Sequence, residues 1–252
     1  MGNTDGNIRN KRDLIDHMRR TYTWMRWILV ITGVFLPILL WLGGLYIEKQ
    51  NAKPKAAVER ATFFGKESDF MPLSSMSQYY WAEAETTDGG FGDPKAKTLR
   101  DLFVGGLFII GALLICYRTD SIPETINYSI GGLAAYVVAL IPTDKNDFIW
   151  NHPHFIAAVI LLFSIALSAT VFSRATARGL QNPRDQSFYK IIYTIIGVAM
   201  ITIPVLTGIL THDNGTHIFW IECACIWIFA AFWIVKSFEI KKPRQDEREM
   251  IA

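Results

Sequence analysis

Four of the five histidines fall in two tight groups, His152 with His154 and His212 with His217, and Asp147 and Asp213 lie close to them in the sequence. Imidazole and carboxylate are ordinary zinc donors. Three protein ligands and one open position generate a bound hydroxide near neutral pH. His154, His212 and His217 are therefore the candidate metal ligands, with zinc the candidate cofactor. Glu222, Asp101 and Ser77 are the candidate catalytic groups. Glu222 stands inside the apolar run Phe219-Trp-Ile-Glu-Cys-Ala-Cys-Ile226, where an acid is expensive unless paired and is a functional candidate by default.

Each candidate also has a simpler use. Asn151-His-Pro-His154 has the form of a helix start with Pro153 at the first position, and capping accounts for His152 better than for His154. Thr98-Leu-Arg-Asp101 fits a capping box. Thr211-His-Asp-Asn-Gly-Thr-His217 is a turn built on Asn-Gly, and its histidines can simply face water. Glu222 can bond a hydroxyl on a neighbouring helix. The HxH spacing alone is not diagnostic of a metal.

The elements that must position these residues are transmembrane helices. Half the chain, 51%, is hydrophobic, and these residues cluster in long runs almost free of charge. A bilayer core about 30 Å thick needs ~20 apolar residues per helix. The runs do not alternate strictly, which excludes a β-barrel. We expect an all-α polytopic bundle of six spans, near 27–47, 102–117, 126–141, 154–172, 191–210 and 218–235. Residues 1–25 form an N-terminal segment, with a short surface helix at 13–24. Residues 26–236 form the membrane domain, which includes a polar loop over 48–100, and 237–252 form a charged tail. That loop is long for a structureless connection, so a short helix is expected around 71–81. Pro37 and Pro204 fall inside spans as expected mild kinks. Gly105, Gly106, Gly111, Gly131 and Gly132, with the Ser164/Ser168 pair, mark sites of close helix approach.

With both termini in the cytoplasm, sixteen of the 25 Lys and Arg residues lie on the inner side. The short loops carry that bias, which is the informative part of the positive-inside rule. The candidate site then faces outward, where Ser77, His154, His212, His217, Asp101 and Glu222 can converge on one pocket.

Several classes are excluded by what is missing. The chain has no P-loop, dinucleotide fingerprint, HExxH or GxSxG. No lysine is expected inside a span, which excludes a retinal Schiff base of the familiar kind. A net charge of +2 does not argue for nucleic acid. Cys116, Cys223 and Cys225 lie in apolar runs and imply no disulfide framework.

The stretches Ser74-Ser-Met-Ser-Gln-Tyr-Tyr-Trp81, Arg100-Asp-Leu-Phe-Val-Gly105 and Phe219-Trp-Ile-Glu222, with Trp227 and Lys236, resemble a group of uncharacterised bacterial six-span membrane proteins. A more distant likeness is to the alkaline ceramidase and progestin/adipoQ receptor superfamily, whose members hold zinc with histidines in a seven-helix bundle. That likeness implies that Ser77 and Asp101 match the superfamily's serine and aspartate. Trp81 stands where it would want a histidine, and no HxxxH occurs in the last span.

These readings lead to a multi-pass protein of the inner membrane, expected to be a non-enzymatic scaffold, sensor or accessory subunit. Its partners would be the lipid bilayer, a lipid ligand or another membrane protein. The sharp alternative is a zinc hydrolase of lipids or amides at the outer leaflet. A weaker one is haem or redox binding through a histidine from each of the fourth and fifth spans.

Overall fold

The computed structural model describes residues 2–50, 62–63, 66–67, 75–81, 98–141, 153–211 and 217–242. Among the described residues, apart from a two-residue antiparallel ladder, β1 (Thr62–Phe63) with β2 (Lys66–Glu67), the regular structure is helical. The helices are α1 (Gly2–Gln50), α2 (Thr98–Cys116), α3 (Ile122–Leu140), α4 (Pro153–Leu167), α5 (Ser173–Thr176), α6 (Pro183–Thr211) and α7 (His217–Glu239). A 3₁₀ segment covers Met76–Trp81, and a π-helical turn, Ser168–Phe172, joins α4 to α5. Among the described residues, five segments are long and apolar enough to cross a membrane: Asp13–Leu45, Thr98–Cys116, Pro153–Gly179, Pro183–Thr207 and Ile218–Glu239. The chain is a multi-pass membrane protein by that measure.

Chain neighbours pack against each other, and the ring closes when α7 packs on α1. The starts follow local chemistry. Pro153 opens α4 as expected, since it has no N–H to leave unsatisfied. Ser121 caps α3 by accepting from the Glu124 amide. The buried face of α3 carries Glu124, Asn127, Tyr128, Gly131, Ala135 and Val138 at helical spacing. Asn127 spans to α4 and its π-helical extension by donating to the Ser164 carbonyl and to Ser168 Oγ, and Ser164 Oγ returns a bond to the Asn127 carbonyl. The Ser164/Ser168 pair is thus a polar clasp as well as a place for close packing.

Some expectations are corrected. Residues 13–24 do not form a separate surface helix; they continue the first span in one 49-residue helix. Pro37 and Pro204 do lie inside spans as expected, and neither ends its helix. Of the helix expected at 71–81, a 3₁₀ segment is described from Met76 onward. Helix α7 runs to Glu239, so Lys236 lies inside a span segment and is buried. The close approaches hold at Gly111 and Gly132, where a Cβ on Gly132 would lie 2.6 Å from the Gly111 carbonyl oxygen. Gly105 does not belong with them, because a Cβ there would meet nothing within 4 Å.

The core divides into two layers. Leu29, Leu114, Tyr117, Tyr128, Phe232 and Trp233 fill the half toward the N-terminus. Leu36, Leu40, Leu99, Phe103, Phe219 and Cys223 fill the other half, and there the 3₁₀ segment adds Met76 and Tyr79. Tyr79 is fully buried, and Gly44 makes room for its ring. The 3₁₀ segment is therefore anchored as a strap over one end of the bundle.

Candidate functional site

The strap carries the centre of the site. A 3₁₀ segment turns three residues per turn, so Ser75, Met76 and Ser77 present different groups to α4 and α7. The Met76 amide donates to Glu222 Oε2 at 2.6 Å, and Ser75 Oγ lies 3.0 Å from both carboxylate oxygens. The Ser77 amide donates to Ser75 Oγ at 3.1 Å. Ser77 Oγ lies 2.8 Å from His154 Nε2 and 3.5 Å from Glu222 Oε1.

His154 occupies the second position of α4, and its Nδ1 lies 2.6 Å from the Ile141 carbonyl oxygen just past α3. A carbonyl only accepts, so Nδ1 carries a proton. In the neutral ring Nε2 then accepts, and Ser77 donates to it. The tautomer is set by the backbone of a different helix. Ser75, Ser77 and His154 are all buried.

The structure thus brings together Ser77, His154 and Glu222 and adds Ser75 and the Met76 amide. Asp101 does not join them. Its side chain is 67% exposed and pairs with Arg100 at 3.4 Å, while Arg100 stacks over Tyr80. The buried stripe of α2 runs through Leu99, Phe103, Gly106, Leu107 and Ile110, and position 101 lies off it. His212 lies outside the described residues, as does the side chain of His217. Among the described residues no three His, Cys, Asp or Glu side chains gather to hold a metal. With Nδ1 donating to Ile141 and Nε2 accepting from Ser77, His154 offers zinc no free lone pair in this arrangement. The described residues do not fit a zinc centre.

A second buried polar cluster closes the opposite end of the ring, and the sequence reading missed it. Arg26 donates from Nε and Nη2 to Tyr117 Oη and from Nη1 to the Lys236 carbonyl. Lys236 Nζ reaches Ser173 Oγ at 3.2 Å, Thr176 Oγ1 at 3.4 Å and Glu239 Oε2 at 3.5 Å. Tyr193 donates to the same Glu239 oxygen. Just past the end of α2, burial pushes the Tyr117 phenol up to about 12, against the opposing pull of Arg26. The π-helical turn matters here because it immediately precedes Ser173 and Thr176, the two hydroxyls that receive Lys236. Three residues missed as a group, Arg26, Lys236 and Glu239, lie just outside the spans expected from the sequence, where charges usually reach out to water. The available signal was the Lys236/Glu239 spacing, which places both on one helical face.

No family model, curated protein or solved structure matches the chain.

Proposed function

We propose that this is a non-enzymatic membrane protein, a scaffold, sensor or accessory subunit, whose outer segment is seated on a six-span bundle by Glu222. Five spans are evident from length and apolarity. Helix α3 supplies the sixth: its 19 residues measure about 28 Å at ~1.5 Å each, close to the hydrocarbon thickness. It packs between α2 and α4, and its polar Glu124 and Asn127 are buried in the bundle. An even number of spans puts both termini on one side, and the Lys/Arg distribution favours the cytoplasm, with the inner membrane as location.

The observation that carries the functional reading is the closure of the outer network. Glu222, Ser75, Ser77 and His154 satisfy one another or backbone groups, with Ser75, Ser77 and His154 buried and Glu222 half-buried. A satisfied buried network fixes one conformation. Here it fixes the strap, the natural place to present or sense something outside the membrane.

A second reading is favoured by the Ser77–His154 pair. A serine hydroxyl bonded to an oriented neutral imidazole is the nucleophile–base arrangement of acyl transfer, and a lipid ester or amide would be its substrate. The deciding experiment treats purified protein with a fluorophosphonate probe. The scaffold reading expects no labelled Ser77; labelling abolished by Ser77→Ala would replace it with the hydrolase reading. The zinc alternative is decided separately by metal analysis of the intact protein, His154→Ala and His217→Ala. Stoichiometric zinc lost from the variants would restore it.

A further inference from the structure

Two grooves meet at Lys241, next to the Trp-rich start of the first span. One, of about 570 Å³, runs between α1 and the end of α7, where Arg19, Arg20 and Lys241 face Trp24 and Trp27. Asp16 is the one acid on its wall, so the lining carries a net charge of two positive. The other, of about 610 Å³, lies between α6 and α7 and is walled by Phe188, Ile192, Val235 and Phe238. Lys241 lines both, with its ammonium 5.5 Å from the Phe238 ring centroid. Its neighbour Lys242 also lines the second groove and lies 3.3 Å from Asp185.

We infer that the paired grooves bind one anionic phospholipid, with the phosphate held by Arg19, Arg20 and Lys241 and an acyl chain laid along α6 and α7. The chemistry fits in three respects. Guanidinium groups match phosphate oxygens with parallel donors. Tryptophan rings settle at headgroup depth, so the cations are held where lipid phosphates lie. The apolar groove leads from Lys241 past Phe238 and Val235 along α7 toward the bilayer interior, which a free phosphate would have no use for. Basic pockets between helices recognise lipid headgroups by this combination. The inference rests on the bundle spanning a bilayer and is independent of what the outer site does.

The test uses the full chain in uncharged detergent, with native mass spectrometry and thermal shift as readouts. Phosphatidylglycerol is expected to bind at one saturable site and raise the melting temperature, while phosphatidylcholine does neither. The triple variant Arg19→Gln, Arg20→Gln, Lys241→Gln should weaken that binding by roughly a hundredfold. The double variant Arg20→Gln, Lys241→Gln, which alters only exposed side chains, should weaken binding in part and leave the lipid-free melting temperature unchanged. Asp16→Asn should tighten binding. Equal retention of the two lipids, or full retention by the triple variant, overturns the site. Inorganic phosphate that binds as well as phosphatidylglycerol, or displaces it, assigns the groove to free phosphate and overturns the lipid.

Discussion

Ser77 and His154, from the strap and from α4, are joined by a 2.8 Å hydrogen bond, and the Ile141 carbonyl, 2.6 Å from the imidazole's other nitrogen, leaves Nε2 of the neutral ring to accept it. Ser77→Ala leaves a buried imidazole nitrogen without its donor. The expected loss is about 1–3 kcal/mol of stability, read by thermal or denaturant unfolding in detergent. Ser77→Thr keeps the hydroxyl and should recover part of it. No loss in the alanine variant would mean that the pair does not hold the strap.

Glu222 is the strap's main acceptor. Glu222→Ala leaves the Met76 amide and the Ser75 hydroxyl without their acceptor. Hydrogen exchange at the Met76 amide should then accelerate by roughly tenfold or more, equivalent to about 1.4 kcal/mol of local opening. Glu222→Gln keeps a carbonyl oxygen for Met76 and should behave much closer to the parent. Equal exchange in all three proteins would show that packing of Met76 and Tyr79 holds the strap unaided.

The two polar clusters differ in how far they could be read from residues alone. Glu222 stood out because an acid within an apolar run has few innocent explanations, and Ser77 and His154 were legible as residue types at the right end of the bundle. That the Ile141 carbonyl would orient His154 was not legible, since a backbone partner leaves no residue signature. Asp101 was misplaced because the TLRD capping pattern marks a helix start without saying which face the acid takes, although the α2 stripe through Leu99 and Phe103 already puts position 101 elsewhere. The Lys236 cluster was hidden for a different reason. Arg26 and Lys236 were counted as topology signals, and a count of charges treats every lysine as solvated. Burial of Lys236 depends on α7 running on to Glu239, and on the π-helical turn ahead of Ser173 and Thr176.

Lys236 and Glu239 are both buried, 3.5 Å apart. Lys236→Ala strands a carboxylate in a low-dielectric layer and should cost about 3–5 kcal/mol. The double variant Lys236→Met, Glu239→Gln removes both charges at nearly constant volume, and much of that loss should return. The comparison is a double-mutant cycle in detergent, with Lys236→Met and Glu239→Gln as its single variants. Additive losses would show that the two charges are stabilised independently, by Ser173 and Thr176 on one side and Tyr193 on the other.

Helix α2 meets α3 backbone to backbone at Gly111 and Gly132, and this contact sets how closely α3 can nest between its neighbours. The Cβ of Gly132→Ala would fall 2.6 Å from the Gly111 carbonyl oxygen and 2.7 Å from Ile115 Cγ1. The side chain can turn away, but the carbonyl is tied into its helix and cannot, so the helices must separate. A loss of about 1–3 kcal/mol is expected from this overpacking. Gly105→Ala is the matched control, since a Cβ there meets nothing within 4 Å and alanine favours a helix by about 1 kcal/mol. It should be neutral or slightly stabilising. The pair separates close packing from propensity because both variants add the same methyl group to the same glycine-bearing helix pair. If Gly132→Ala unfolds no more easily than Gly105→Ala, the two helices do not touch at Gly111, and α3 is not held in the bundle by backbone contact.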